Sequence, residues 1–462
     1  MKIIVLNGSP KGDTSVTMQY VHYVAKLNPG CEFKIYNISQ QIRKIEKDQA
    51  YFDEILAQVR AADGVLWAFP LYILTVHAHY KRFIELLFER GAGEAFRDKY
   101  AATLSTSIHF FDHTAHNYMH AICDDLGMRF VDSFSPYMYD LTKLAGQEQT
   151  AGFGKRFLAA IEQQVPTQRQ YAPLVRREFV YQPGLAQASV STAGKRVVIL
   201  HDGGRPGSNL ATMVARCRDA FAGPVQVVDL NDVLIKASCQ GCMRCGYNYH
   251  CAYEGKDGFI DFYRSTVMQA DVLVYAGTLV DRQLSSRWKM VLDRAFFNTH
   301  TPVLTGKQMA FVLSGPFSQN ANLREVLLGY TEFQGANVVG FASDEFGSSA
   351  EIDAVLDGLM AAVLRATLAA DSHPQTFRGI GGMKVFRDDI WGPLRMVFQA
   401  DHRAYRRLGF YRTFPQRDWN ALLTNAIMIP LTHLAGFRKE FVRRTPQEMI
   451  RPLRKVVEKM PA

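Results

Sequence analysis

Short apolar runs alternate with longer amphipathic segments along the first part of the chain. Five runs have the length and composition of buried strands, at 2–6, 33–38, 64–69, 101–105 and 130–133. Apolar residues recur with helical spacing in five further segments, at 16–27, 51–62, 76–90, 113–126 and 154–164. Strands that alternate with helices in this way predict an α/β fold with a parallel, doubly wound sheet.

The same pattern restarts near residue 195, after a segment (165–194) that contains three prolines. Ile3 corresponds to Val197 at an offset of 194, and Lys81 corresponds to Lys289 at an offset of 208. The added residues fall mainly where a run of cysteines lies. We interpret the repeat as a tandem duplication, with domains at 1–165 and 195–370 and a third region at 371–462.

The third region is predicted to be a helical extension rather than another core. Its glycine-rich start, 372–383, indicates a flexible joint, and helices are predicted at 388–398, 401–408, 419–434 and 446–459. We expect no transmembrane helix, because the apolar stretch 421–437 is interrupted by Thr424, Asn425, Thr432 and His433.

The net charge of +9 is concentrated in this extension, which has 17 Lys and Arg residues against 8 Asp and Glu. A basic helical surface is typical of contact with an acidic redox protein or a membrane surface, and a solvated helix face is the alternative. No signature of a nucleic-acid-binding fold accompanies the charge, so we expect no nucleic-acid partner. The sequence is compatible with a homo-oligomer.

Four of the seven cysteines lie close together, at Cys239, Cys242, Cys245 and Cys251. Two successive C-x2-C steps with a fourth cysteine nearby are typical of the ligands of one [4Fe–4S] cluster. Zinc and a redox disulfide are the alternatives, although zinc sites usually have two separated cysteine pairs. The other cysteines are scattered, which favours a reducing, cytoplasmic location.

Glycine, proline and hydroxyl residues follow the first strand, in the segment 7–15. A loop of this kind directs backbone N–H groups and hydroxyls toward one point beside a helix N-terminus, which suits a phosphate. The alternative is an ordinary turn in which Thr14 or Ser15 caps the helix.

These motifs together resemble those of the flavodoxin-like NAD(P)H-dependent FMN reductases, and the second half is most similar to the iron–sulfur flavoproteins of that group. The likeness rests on four features: Gly8-Ser9-Pro10-Lys11 with Thr14 and Ser15, Pro70-Leu71-Tyr72, Lys81 paired with Lys289…Asp293-Arg294, and the four cysteines. It implies two tandem flavodoxin-like doubly wound parallel sheets followed by the basic extension.

The resemblance also implies a site for FMN in the first domain. Its phosphate would be held by Ser9, Lys11, Thr14 and Ser15. Its ring would be bordered by Pro70, Leu71, Tyr72 and Ile73, with Ser105, Thr106 and Ser107 on the other side. In iron–sulfur flavoproteins one subunit's cluster lies near its neighbour's flavin, so we expect the cysteine segment to face Tyr72 and the loop 106–113. The second domain's loop 201–209 departs from the pattern and leaves a second flavin open.

Four histidines recur at steps of four, three and four, at His109, His113, His116 and His120. That spacing shares one helix face and could bind a metal ion; packing at the helix N-terminus is the alternative. We expect His109 or His113, at a strand's carboxyl end, to supply a proton to substrate or flavin. Tyr72 is the third candidate catalytic residue.

The expected function is electron transfer between NAD(P)H or a small redox protein and an acceptor, with FMN and one [4Fe–4S] cluster as cofactors. One alternative is a flavin-dependent reductase of a small organic compound, in which the cluster is structural or feeds the flavin. Another is a non-catalytic electron carrier or scaffold subunit.

Overall fold

The computed structural model describes residues 1–186 and 190–460. The chain forms two compact units, Met1–Asp401 and His402–Ala462. The first unit contains both repeats and the start of the extension. The predicted domain limits at 165, 195 and 370 remain a prediction.

The first repeat is a parallel sheet with strand order β2-β1-β3-β4-β5, which is the flavodoxin-like order. Its strands are β1 Lys2–Asn7, β2 Glu32–Tyr36, β3 Gly64–Pro70, β4 Tyr100–Thr106 and β5 Arg129–Phe134. Its helices are α1 Val16–Leu27, α2 Ile38–Lys47, α3 Gln49–Arg60, α4 Ala78–Glu89, α5 Asp112–Asp125 and α6 Leu144–Glu162. The central strand β1 is a continuous apolar run because helices cover both faces of the sheet and bury Ile3 through Leu6.

The second repeat has the same topology. Short strands β6 Val190–Ser191 and β8 Phe221–Ala222 pair outside the main sheet, whose order is β12-β11-β10-β7-β9. The main strands are β7 Val197–His201, β9 Val225–Asp229, β10 Val272–Thr278, β11 Gln308–Ser314 and β12 Asn337–Ser343. The helices are α7 Asn209–Asp219, α8 Cys245–Asn248, α9 Phe259–Phe262, α10 Ser286–Ala295, α11 Ala321–Phe333 and α12 Ser349–Leu368. The predicted fold class of two doubly wound parallel sheets is confirmed.

Shorter helical turns connect these elements. They are Gly12–Thr14, Ala92–Ala95, Asp140–Thr142, Tyr263–Val267 and Phe296–Asn298. Helix α2 was not predicted, although Ile38, Ile42 and Ile45 form a buried stripe along it. Helix α6 begins ten residues before the predicted start at 154, and Gly154 inside it lets α1 approach closely, because a Cβ there would lie 2.7 Å from Val24 Cγ1.

The extension differs from its prediction at its start. The segment 372–383 is not a joint throughout, because helix α13 runs over Phe377–Trp391. Its glycines permit close packing: a Cβ on Gly382 would lie 2.5 Å from Phe110 Cε2. The helix predicted at 388–398 is wrong, since α13 ends at Trp391 and turns follow it. Helix α14, Gln399–Leu408, agrees with the prediction.

The second unit continues with two short turns, Phe410–Thr413 and Pro415–Arg417, and two helices, α15 Trp419–Thr432 and α16 Ala435–Val457. Neither helix has a buried residue. Across the described parts of the chain, no helix combines the length and the apolar character needed to cross a membrane.

Candidate functional site

A cavity of about 420 Å³ opens at the carboxyl ends of β1, β3 and β4, where ligands bind on doubly wound sheets. One wall belongs to the first repeat. The opposite wall comes from α10, the turn after it, and α11 of the second repeat. The remaining wall comes from the extension, through Phe386, Leu394, Val397 and Phe398. The two repeats and the start of the extension therefore share one site.

The loop after β1 lines one end of the cavity through Ser9, Lys11 and Ser15. Ser9 Oγ accepts a hydrogen bond from Lys11 N (3.2 Å), and Ser15 Oγ caps α1 by accepting from Met18 N (3.2 Å). Gly8 is required because a Cβ there would lie 2.7 Å from Tyr80 Cγ. Ser15 therefore caps the helix and also lines the cavity, and the binding of a phosphate by this loop stays a prediction.

Thr14 and Ser105, both predicted to contact FMN, lie outside the cavity wall. The Thr14 hydroxyl donates to Lys11 O (2.8 Å) within the loop. Ser105 is fully buried and its Oγ bonds His116 Nε2 (2.8 Å) in the core, and its contact with the ring stays a prediction.

The other predicted ring contacts line the cavity: Pro70, Leu71, Tyr72, Ile73, Thr106 and Ser107. The turn after β3 is tight, with Ile73 and Leu74 at φ of +31° and +63°, a region that non-glycine residues rarely adopt. Reciprocal backbone hydrogen bonds between Tyr72 and Thr75 hold it in place. Burial raises the pKa of the Tyr72 hydroxyl, so that this hydroxyl stays protonated.

His109 and His113 are not in the cavity wall. His109 Nδ1 lies 3.0 Å from Asp112 Oδ2, and the hydrogen bond to Asp112 raises the pKa of His109. His113 stacks on Phe111. His116 is buried between the hydroxyls of Thr103 and Ser105, and burial lowers its pKa to about 4. The roles of His109 and His113 as proton donors stay predictions.

A different histidine, His300, lines the cavity. Its Nδ1 lies 2.9 Å from Asp401 Oδ2, and its backbone N–H donates to the same carboxylate. Thr299 and Thr301 also donate their hydroxyls to Asp401, which is fully buried. These four hydrogen bonds fix the carboxylate, and the carboxylate in turn orients the imidazole. Sequence reasoning missed the pair because the partners are a hundred residues apart.

All four clustered cysteines line a second cavity, together with Arg294, Tyr253 and Phe297. Gly241, Met243 and Phe296 border both cavities. Gly241 N donates to Cys239 Sγ (3.5 Å), and all seven cysteines are free thiols. Burial raises the pKa of Cys239, and it raises the pKa of Cys245 to about 12.

The cysteine segment packs against Tyr72, as predicted. Gly241 has φ of +61°, and a Cβ there would lie 2.4 Å from the Tyr72 hydroxyl. His77 Nε2 lies 2.9 Å from Cys239 O. Within residues 1–186 and 190–460, no three His, Cys, Asp or Glu side chains converge to hold a single metal ion. A [4Fe–4S] cluster does not require the side chains to converge on a single ion, because each thiolate binds its own iron atom.

The two repeats contact each other reciprocally. Ala78 N donates to Asp293 Oδ2 (2.8 Å), and Ser286 N donates to Glu85 Oε1 (2.5 Å). Ser286 and Asp293 stand 208 residues after Ala78 and Glu85, so the two contacts are equivalent by the offset that relates the repeats. Equivalent contacts in both directions are the property of a two-fold interface.

In the second repeat, the segment that links the two repeats covers the position that corresponds to the first cavity. Arg176 donates to the carbonyl oxygens of Leu279 and Val280 (2.9 Å for Val280). Arg176 Nη1 also lies 3.5 Å from where a Cβ on Gly315 would be. By the same offset these residues correspond to Leu71, Tyr72 and Ser107, the borders of the first cavity. Arg176 thus contacts the residues of the second repeat that correspond to the borders of the first cavity.

Comparisons with known proteins gave one family match and several similar solved structures. Residues 1–138 match the family model described as NADPH-dependent FMN reductase. Among solved structures, the chain is similar to an apo NADH:FMN oxidoreductase (EMOB), with 19% identity, a TM-score of 0.31 and coverage of 34% of this chain and 89% of that chain. It is similar to the flavoenzyme FerB, an NAD(P)H:(acceptor) oxidoreductase from Paracoccus denitrificans, with 18% identity, a TM-score of 0.28 and coverage of 35% and 97%. An azoreductase from Bacillus anthracis str. Sterne has 16% identity, a TM-score of 0.26 and coverage of 33% and 98%. No curated protein matches the chain.

The family match confirms the resemblance to FMN reductases for the first repeat. It spans β1 through β5 and reaches the cavity residue Met138. Residues 1–138 are therefore similar to the NADPH-dependent FMN reductases.

Proposed function

We propose, on the premise that residues 1–138 are an FMN reductase domain, that the chain is a cytoplasmic oxidoreductase joining one FMN to one [4Fe–4S] cluster. It would pass electrons between NAD(P)H or a small redox protein and an acceptor. The observation that carries the proposal is the shared border of the two cavities at Gly241, Met243 and Phe296. The seven free thiols agree with a reducing compartment.

The residues of the larger cavity fit FMN. The loop with Ser9, Lys11 and Ser15 offers hydroxyls, N–H groups and a cation to a phosphate. Gly12 in this loop has φ of +58°, a left-handed conformation that favours glycine. Leu71 and Tyr72 offer apolar and aromatic surface to a flat ring.

The smaller cavity fits a cluster by the chemistry of its lining. Four thiols and several apolar side chains surround it, and the N–H···S bond from Gly241 to Cys239 would stabilise a thiolate. When bound, FMN supplies both two-electron and one-electron chemistry, and an iron–sulfur cluster carries one electron at a time. The chain's own contribution is to hold the two sites side by side at this shared border.

Replacing Ser9 with alanine is expected to raise the dissociation constant of FMN about tenfold, because a hydroxyl facing the phosphate is lost. Thr14→Ala is the matched control in the same loop, since the Thr14 hydroxyl is bonded to Lys11 O instead. Titration of the apoprotein with FMN, followed by flavin fluorescence, measures both constants. Equal weakening by the two changes would show that the phosphate is held differently.

A second candidate function is reduction of a small organic compound, and the pair His300–Asp401 favours it. The wall around His300 is aromatic and apolar, with Phe333, Phe386 and Phe398 close by. An organic acceptor that takes up electrons must usually take up protons as well. With Asp401 orienting its Nδ1 side, the imidazole can supply a proton at this wall.

His300→Gln is therefore expected to slow reduction of a quinone about 100-fold, the usual size of a general-acid contribution. Reduction of ferricyanide, which takes up an electron without a proton, should stay within about twofold of the wild type. Stopped-flow measurement of both half-reactions, with NAD(P)H as donor, separates the steps. If both acceptors slow equally, His300 positions the cofactor and does not donate a proton.

A further inference from the structure

The second unit, His402–Ala462, presents large apolar side chains to solvent. Helix α15 exposes 76% of Trp419, 65% of Leu423 and 57% of Ile427. Helix α16 adds Val442, Met449, Leu453, Val456 and Val457, all more than half exposed. So many large apolar side chains exposed on two consecutive helices indicate an interaction surface.

Helix α15 has no charged face. No Asp, Glu, Lys or Arg occurs from Trp419 to Thr432, and its polar side chains are uncharged. A surface helix that docks in a protein groove covers one face and leaves a charged face in water. A helix without a charged face is stable only where apolar material surrounds most of it.

The same unit carries the whole net charge of the chain. Residues 402–462 have 13 Lys and Arg against 4 Asp and Glu, whereas residues 1–401 have 40 of each sign. On α16, Arg443 and Arg444 share Glu440, and Arg451 pairs with Glu448. These ion pairs are exposed and therefore weak, so the helix attracts anions over its whole length.

We propose that this unit binds the surface of an anionic lipid bilayer, with α15 lying in the plane of the interface and the basic residues of α16 at the headgroups. With 14 residues, α15 is about 21 Å long, shorter than the hydrocarbon core of about 30 Å that a spanning helix must cross. Arg417 just before it and Trp419 at its start suit the headgroup boundary.

Two other occupants fit the surface less well. A second copy of the unit would bring together two groups of 13 basic residues, and their repulsion opposes association. An acidic redox protein would complement the charge but would leave α15 without an apolar environment. An anionic bilayer complements the basic charge of the unit and also gives the uncharged helix α15 an apolar environment.

Vesicle binding by the full-length protein tests the proposal. We expect binding to phosphatidylcholine vesicles that contain roughly one third phosphatidylglycerol and at least about tenfold weaker binding to phosphatidylcholine alone. Brominated lipids should quench the fluorescence of Trp419, and Trp419→Phe should remove the quenched component. Trp67 and Trp288 are buried and contribute little to quenching. Trp391, which is 41% exposed, lies on α13 of the first unit, so the loss of quenching in Trp419→Phe separates its signal from that of Trp419.

The double change Leu423→Gln and Ile427→Gln should lower vesicle binding about tenfold or more, because insertion depends on apolar burial. The matched control is Leu144→Gln with Leu368→Gln, two exposed leucines of the first unit, which should leave binding unchanged. NAD(P)H oxidation without vesicles should be the same for all variants. Absent binding, binding without quenching, or a dimer of the free protein that dissociates when Leu423 and Ile427 are replaced would each overturn the proposal.

Discussion

Replacing Lys81 with methionine is expected to lower the free energy of unfolding by about 3 to 5 kcal/mol, the usual cost of removing one partner from a buried ion pair. Lys81 is 2% exposed, and its Nζ contacts Asp281 Oδ1 (2.7 Å) and Glu85 Oε1 (2.9 Å). Asp281 also accepts a hydrogen bond from the Tyr118 hydroxyl (2.8 Å). Without the ammonium group, the buried Asp281 would lose its lysine partner, while Glu85 would keep Arg82 Nη1 (3.2 Å) and the Ser286 hydroxyl.

The loss should depend on pH. Burial already raises the pKa of Asp281, and Lys81 opposes that rise. In the variant the folded-state pKa of Asp281 would lie above its unfolded value, so the folded state binds protons more tightly. Stability is then lost as pH rises through the folded pKa, and the deficit should shrink between about pH 8 and about pH 5.

Denaturant unfolding of Lys81→Met and of Lys155→Met, an exposed lysine on α6, measures the effect. The control should change the free energy of unfolding by less than about 0.5 kcal/mol. A deficit below about 1 kcal/mol for Lys81→Met, or one that is independent of pH, would mean that water or local movement compensates the Asp281 carboxylate.

Replacing Cys242 with serine is expected to abolish the iron–sulfur cluster. Anaerobically purified wild type should contain about four iron atoms and four acid-labile sulfides per chain, and the variant close to none, because the cluster needs all four thiolates. Cys242 is exposed, so the change should not disturb the core. FMN content should be unchanged, since Cys242 is not in the wall of the larger cavity.

Cys31→Ser is the control, because Cys31 lies in the first repeat, far along the chain from the four clustered cysteines. Iron and sulfide analysis with EPR of the reduced protein gives the readout. One zinc per chain without labile sulfide would contradict the assignment, and so would full iron content in Cys242→Ser.

The sequence predicted most of the two sheets because their strands are continuous apolar runs. The prediction of secondary structure was poor where a glycine is needed for close packing. Gly379, Gly381 and Gly382 indicated a joint, yet they lie within α13, where Gly382 admits Phe110. Helical propensity describes each residue by itself, so it does not predict that a neighbouring side chain packs where glycine has none.

Some residues of the candidate site could likewise be predicted from the sequence, and others could not. Ser9, Lys11, Ser15 and the turn after β3 could be predicted because they follow strands directly along the chain. His300 and Asp401 could not, since the first follows a turn after α10 and the second lies in a region without a family resemblance. Only the folded chain brings the histidine and its carboxylate to the cavity wall.

The reciprocal contacts of Ala78 with Asp293 and of Ser286 with Glu85 join two halves of one polypeptide. In a dimer of separate subunits, such an interface would dissociate on dilution, because association follows mass action. A covalent linker instead holds the partners at an effective concentration on the order of millimolar. The turnover per chain should therefore not fall as the protein is diluted. Translation also fixes the ratio of the halves at one to one, so every finished chain carries a complete site.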